Sequence, residues 1–279
     1  MPLYIQTNVA SLEVQRNLAK TQGVLAKSFQ RLSSGYRINS ASDDPSGLSI
    51  SEGLRMQIRS YAAAERNAAN GISMADTADG ALSSISDLLS RMREIAVQGS
   101  NGDLTTTDRS LLQVEFAQLR SEIDRVSIST VFNGTSLLGS AAPTVAFQVN
   151  IFNNSASIDR ITITFAEIDT TALVLSAGNA SVGGTVTNAQ SAITSIDAAL
   201  VTVNGARASV GGATNRLSIT IANLQAIRTN LSAAQSRIRD VDVAEETSIL
   251  SRTQVVAQAG ASVLAQANQM PSLALTLLR

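Results

Sequence analysis

Apolar positions recur with the spacing of an α-helix over most of this chain and with the spacing of a strand in only one short region. The first helical stretch runs from about Thr7 to Leu32. Val14, Leu18, Leu25, Phe29 and Leu32 share a side, and Thr7 or Asn8 can cap the start. The pattern breaks across Ser33-Ser34-Gly35-Tyr36-Arg37-Ile38-Asn39-Ser40-Ala41-Ser42, a non-periodic run of small and polar residues. Asp43-Asp44-Pro45 restarts it, with a carboxylate at the N-cap and proline at the first helical position, where a backbone N–H would have no partner anyway. Helical spacing then persists to about Gln98, clearest at Leu82, Ile85, Leu89, Met92 and Ala96, until Gly99-Ser100-Asn101-Gly102 ends it. Thr107 or Asp108 caps a third helix, along which Leu112, Phe116, Leu119, Ile123 and Val126 step by four and three.

The period changes between about Phe132 and Gly184. Val145, Phe147, Val149 and Ile151 alternate, as do Ile161, Ile163 and Phe165, with Asn153-Asn154-Ser155-Ala156-Ser157 between them. This predicts a β-hairpin with a long loop, and Leu173 to Leu175 a further short strand. Two strands are marginal in water, so the hairpin must lean on helices. A 4–3 ladder follows at Ala189, Ile193, Ile196, Leu200, Val203, Val210, Leu217, Ile221, Leu224, Leu231 and Ile238, with Gly205, Gly211 and Gly212 as places for a bend. Asp240 to Glu246 is an acidic break. The last helix then carries no charge between Arg252 and Arg279. In it Ile249, Val256, Val263 and Met270 recur every seven residues, with Thr253, Gly260 and Ala267 interleaved, a seam for packing on another helix. Val255, Leu264, Leu273, Leu275, Leu277 and Leu278 lie off that seam, so the opposite side is not a solvated face. The expected fold is mainly α: an elongated antiparallel helical bundle or coiled coil with a small β-hairpin element mid-chain. Residues 1–42 with 240–279 form a terminal coiled-coil domain, and 43–239 form a rod domain holding the β-element at about 132–184.

Composition narrows the function. Of 279 residues 44% are hydrophobic but only 3% aromatic, which suits slender helix–helix contacts of Ala, Leu, Ile and Val. The 21 basic and 22 acidic residues nearly cancel, leaving no electrostatic footprint for nucleic acid or an acidic membrane. Only Lys20 and Lys27 are lysines; the other cations are arginines, which suit bidentate pairing. The absence of Cys and His removes thiolate nucleophiles, histidine metal sites and the usual general base, so neither an enzyme nor a cofactor is expected. Asp43-Asp44 lacks a third ligand nearby and is better read as a helix cap than a metal pair. The N-terminus has no basic and apolar signal regions, and Gln254, Gln258, Gln266, Asn268, Gln269 and Pro271 argue against a membrane span in the last helix.

Several blocks resemble bacterial flagellins. Ser33-Ser34-Gly35-Tyr36-Arg37-Ile38-Asn39-Ser40-Ala41-Ser42-Asp43-Asp44 is similar to a flagellin block, as are Arg66-Asn67-Ala68-Ala69-Asn70-Gly71-Ile72-Ser73 and Arg91-Met92-Arg93-Glu94-Ile95-Ala96-Val97-Gln98. So are Glu122-Ile123-Asp124-Arg125-Val126 with Phe132-Asn133-Gly134, Ser262-Val263-Leu264-Ala265-Gln266-Ala267-Asn268-Gln269, and the terminal Leu277-Leu278-Arg279. The matches cover about residues 1–140 and 187–279 in family order. The middle is short, so the chain looks like a compact flagellin with two inner domains and almost no outer insert.

The resemblance implies a structural subunit of the flagellar filament, self-assembling for motility and exported by the flagellar type III route without signal cleavage. It implies a homo-polymer as the main partner, with an export chaperone, filament cap and hook-associated proteins as others. A hook–filament junction protein shares the terminal helices, and a secreted binding protein could use the same route; the Leu-Leu-Arg terminus and the Arg-Met-Arg-Glu-Ile block favour flagellin. The expected polymerisation seam is Val14, Leu18, Leu25, Leu32, Ile249, Val256, Val263 and Met270. Arg91, Arg93 and Glu94 read alone as a solvated helix face. By resemblance, Arg91, Ile95 and Glu115 fall where some flagellins meet the innate-immune flagellin receptor of animals.

Overall fold

A computed structural model describes residues 7–139, 142–153, 156–176 and 180–277, with side-chain surroundings given for all of these except 156–157 and 270–277. The elements in chain order are α1 (Val9–Ser34), α2 (Pro45–Gly99), α3 (Thr106–Ser129), β1 (Val131–Phe132), β2 (Thr135–Ser136), β3 (Thr144–Gln148), α4 (Ala156–Asp159), β4 (Arg160–Thr164), α5 (Val186–Arg239) and α6 (Val243–Leu277). The chain is mainly α, with two small antiparallel hairpins. By compactness it divides into residues 1–58 with 230–279, and residues 59–229. Those divisions fall inside α2 and α5, whereas the sequence places them at the helix breaks near 42 and 240.

In the first unit α1 and α6 pack on each other. Asn8 caps α1 by accepting from the Ser11 N–H at 3.0 Å, and Gly35 ends it in the left-handed region at φ 73°. The expected break at 33–42 is ordered. The Arg37 N–H donates to the Arg239 carbonyl at 2.7 Å and the Val241 N–H to the Gly35 carbonyl at 3.0 Å, joining the α1–α2 and α5–α6 connections. Arg37 Nη2 donates to the Ile238 carbonyl at 2.7 Å at the end of α5. The Arg239 guanidinium lies 4.6 Å from the Tyr36 ring centre and pairs with Glu52 at 2.6 Å.

Asp44 caps α2 as expected, accepting from the Gly47 N–H at 2.9 Å, with Pro45 in the first helical position. Asp43 accepts from the Asn39 and Ser40 N–H groups and pairs with Lys27 at 2.7 Å. The Lys27 ammonium, then those N–H donors, hold its carboxyl well below the usual carboxylate range. Both acids are therefore spent on backbone and ion-pair work. Asp242 caps α6 through the Ala244 and Glu245 N–H groups.

In the second unit one apolar core gathers Leu82, Ile85, Leu89 and Met92 of α2, Phe116 and Ile123 of α3, and Ile196, Val203 and Leu217 of α5. The cap of α3 is Thr105, two residues before the expected start. Thr105 and Asp108 exchange side-chain and backbone bonds, because three successive threonines offer a cap but only Thr105 has an acid three residues on. β3 and β4 pair antiparallel with Val145 opposite Ile163 and Phe147 opposite Ile161. Val149, Ile161, Ile163 and Phe165 are buried, as the alternation predicts. Phe147 closes on α2 where Gly71 carries no side chain: a Cβ there would come within 3.2 Å of its ring.

Two details differ from the sequence reading, and the glycines of α5 interrupt no helical hydrogen bonding. Asn133-Gly134 closes a second hairpin, β1–β2, with φ 49° and 80°, the signature of a type I′ turn. Leu173 to Leu175 form no strand. The Leu173, Val174 and Leu175 N–H groups bond back to Asp169, Thr171 and Thr170 carbonyls, so none is left for a ladder, although both leucines are buried. α5 runs unbroken through Gly205, Gly211 and Gly212, where a Cβ would meet open space.

Candidate functional site

The α1–α6 pair is built unlike the core of residues 59–229. Among its described residues the buried ones are Ser11, Ser28, Glu246 and Thr253, all polar. Each has a bond that burial demands. Ser28 Oγ donates to Glu246 Oε1 at 2.5 Å, and Arg31 Nη1 meets Glu246 Oε2 at 3.3 Å. At the other end of α1, Ser11 Oγ donates to Asn268 Oδ1 and Asn8 Nδ2 to the Ala267 carbonyl, both at 2.7 Å. Thr253 Oγ1 returns to the Ile249 carbonyl at 2.7 Å. Between these bonds the helices approach over small residues. A Cβ at Gly260 would lie 3.5 Å from Leu18 Cδ1.

Val14, Leu18, Leu25 and Leu32 are half-buried, as is Ile249. Val256 and Val263 are not turned toward α1: they are 51% and 47% exposed. The inward row of α6 is Leu250, Thr253, Ala257, Gly260, Leu264 and Ala267, so the interleaved small residues of the expected seam face α1 and its valines face away. The reason is phase. Glu246 must reach Ser28, and a straight helix continued from that point brings 250, 253, 257, 260 and 264 inward. Met270 lies outside the residues whose side chains are described, as do Leu273, Leu275 and Leu277; Leu278 lies outside the described residues altogether. On the outward side, Val9, Leu12, Val24 and Phe29 of α1 and Val255, Val256 and Val263 of α6 are exposed, an unusual amount of large apolar surface for one helix pair. Glu13 and the cations Lys20 and Arg252 lie among them.

Arg91 and Glu115 are brought together. Arg91 Nε and Nη2 both donate to Glu115 Oε1, at 3.1 and 2.8 Å, and Nη1 donates to Glu94 at 2.8 Å. Glu115, then Glu94, raise the pKa of the Arg91 guanidinium. Ile95 does not share that surface. It is 1% exposed, on the inward side of α2 with Met92 and Ala96, so the apolar member of the expected contact is sealed in the core. The exposed apolar residues of α3 near Glu115 are Leu111 and Val114.

Among the described residues no acidic cluster could hold a metal, and no helix is long and apolar enough to cross a membrane. The polar bonds of the α1–α6 pair were missed in the sequence, since Ser11 and Asn268 are 257 residues apart. A signal existed: polar residues inside an apolar stripe must find partners.

The model of the bacterial flagellin N-terminal helical region matches residues 5–142, and that of the C-terminal helical region matches residues 193–278. The chain is 42% identical over 277 residues to a flagellin of Halalkalibacterium halodurans, covering 99% of this chain and all of that protein. It is 37% identical to the flagellar filament 33 kDa core protein of Treponema phagedenis, covering 99% of this chain and all of that one. Among solved structures, one described as a flagellar hook-associated protein from Vibrio parahaemolyticus aligns with a TM-score of 0.59. It covers 71% of this chain and all of that chain at 18% identity, a likeness of fold alone.

Proposed function

This chain belongs to the bacterial flagellin family and is a structural subunit of the flagellar filament; we propose that copies polymerise through the outward faces of its α1–α6 pair. The observation that carries this reading is the exposure of Val9, Leu12, Val24, Phe29, Val255, Val256 and Val263 on a pair whose fully buried described residues are all polar. Its aliphatic side chains are only half-buried in the single chain, and burying the exposed ones between copies adds apolar contact. Residues 1–42 and 240–279 then make the inner tube of the filament, and the seam of Val14, Leu18, Leu25, Leu32, Ile249, Val256, Val263 and Met270 divides its labour. The residues turned toward the partner helix set the pair, and Val256 and Val263 meet other copies.

The hook–filament junction alternative is disfavoured by identity: 42% to a flagellin along the whole chain against 18% to the hook-associated structure. We also propose export without signal cleavage, a chaperone that holds the C-terminal segment, and cap and hook-associated partners, readings that membership of the family supports. The exposed valines of α6 are the surface a chaperone would cover. Recognition by the animal flagellin receptor rests here on Arg91 and Glu115, with Leu111 and Val114 as the nearby apolar contacts in place of Ile95. A receptor reporter assay unchanged by Arg91→Ala removes that site.

Truncation after Ile249 tests the main reading. The expected product is a soluble monomer with residues 59–229 folded and no polymer by electron microscopy. Filaments of normal length from it would overturn the proposal.

A further inference from the structure

We propose that the charges flanking the seam between α2 and α5 form a register code, in which one ion pair of reversed polarity forbids alignments that the other two would allow. Three ion pairs join these helices within residues 59–229. Glu65 meets Arg228 at 2.5 Å, Asp79 meets Arg207 at 2.9 Å and Arg93 meets Asp197 at 2.7 Å. Their positions rise along α2 and fall along α5, so these stretches run antiparallel. On α2 the three stand 14 residues apart, which is two heptads, or ~21 Å at the rise of an α-helix. The first two pairs put the acid on α2; the third puts the arginine there.

The apolar seam beneath says little about alignment. Ala68, Ala75 and Leu82 of α2 recur every seven residues in the core, as do Ile196, Val203 and Val210 of α5. Rows of one period fit each other again after a slip of whole heptads. The charges do not. After a slip of one heptad, Arg228, Arg207 and Asp197 fall opposite positions 58, 72, 86 or 100, none of them charged. A slip of two heptads is the dangerous one, because it equals the spacing of the charges. Were the third pair of the same polarity as the others, that slip would re-form two of the three pairs in either direction. As the chain stands, one direction sets Arg207 against Glu65 but Asp197 against Asp79. The other sets Arg228 against Asp79 but Arg207 against Arg93. Each attraction gained is offset by like charges in the same row. The pairs are partly exposed and individually weak, so the code acts through the difference between alignments and not through the strength of any one pair.

Because the chain has no cysteine, Ser73→Cys/Ser218→Cys places two spin labels on exposed positions of α2 and α5. Their separation is read by pulsed electron resonance after dilution from denaturant. With the three pairs unsubstituted, one short distance is expected. Arg93→Asp/Asp197→Arg keeps every pair of the native alignment but removes the reversal. It should add a second, longer distance, as an axial slip of ~21 Å requires. Adding Glu65→Arg/Arg228→Glu and Asp79→Arg/Arg207→Asp to that variant makes the third pair the reversed one again, and should bring back the single distance. One distance from Arg93→Asp/Asp197→Arg overturns the code, as does loss of its helix by circular dichroism, since its native pairs are all kept. A second distance that persists in the sixfold exchange overturns it too. All are read on the monomer, so the filament reading stands or falls separately.

Discussion

Residues 59–229 seal Leu82, Ile85, Leu89, Met92, Phe116, Ile123 and Leu217 completely, whereas the α1–α6 pair seals only Ser11, Ser28, Glu246 and Thr253 among its described residues. The first region buries what is oily and leaves polar side chains outside; the second nearly inverts the rule. A sealed apolar core is paid for by its own chain and needs no partner. A pair held by hydrogen bonds that are each worth about 1 kcal/mol net, with its valines outside, is marginal until something covers it. Stability and assembly are thus assigned to different parts of one molecule, and substitutions should separate them.

The largest effect is expected at Phe116. Removing this fully buried ring should cost about 3–5 kcal/mol and shift the main denaturant transition of the monomer. An equally large loss from Leu25→Ala in α1 would break the contrast. Next comes Glu246→Ala, which strips Ser28 and Arg31 of their shared acceptor. The cost of about 1–3 kcal/mol should appear as lost terminal helix by circular dichroism, with the main transition unmoved. Glu246→Gln keeps an acceptor for Ser28 and should lose less. Val256→Ser with Val263→Ser should change monomer stability by no more than about 0.5 kcal/mol, because both are half exposed there. The same double variant should nevertheless fail to polymerise in a seeded sedimentation assay.

The smallest effect concerns pH. The Asp43 carboxyl is held below the usual range by Lys27 first and then by backbone donors, so its folded pKa lies under its unfolded one. Its contribution is fully present above about pH 4 and is lost as pH falls toward the folded value. Asp43→Asn should therefore lower stability modestly at neutral pH and flatten the acid limb, the difference from the unsubstituted protein shrinking as pH falls below about 4. An unaltered acid limb would detach the Lys27–Asp43 pair from the stability of the α1–α2 connection.

Much of the fold was legible because period survives in a sequence without any knowledge of partners. The 4–3 steps of α2, α3 and α5, the alternation of β3 and β4, and the Asp44-Pro45 start all reappear in the structure. What could not be read was phase. The same α6 sequence offers two apolar rows one residue apart, 249–256–263 and 250–257–264, and spacing alone cannot choose between them. Glu246 chooses, through a bond to a residue 218 positions away. Ile95 shows the same limit in α2: its place in a family block suggested a surface, and the packing of Met92 and Ala96 turned it inward. The Leu173 to Leu175 expectation failed because alternating burial arises in a compact turn as readily as in a strand.

The bonds at the two ends of α1 also act as a check on alignment. Much of the α6 face turned toward α1 is alanine, glycine and threonine, and helices that meet over such residues can slide past one another by a turn with little change in contact area. A slip here would carry Glu246 away from Ser28 and Arg31, and at the same moment separate Ser11 from Asn268 and Asn8 from the Ala267 carbonyl. Every misaligned pairing would then bury polar groups without partners at both ends at once. In a polymer one subunit out of step would displace each copy added after it, and these few bonds make such a start an unfavourable one.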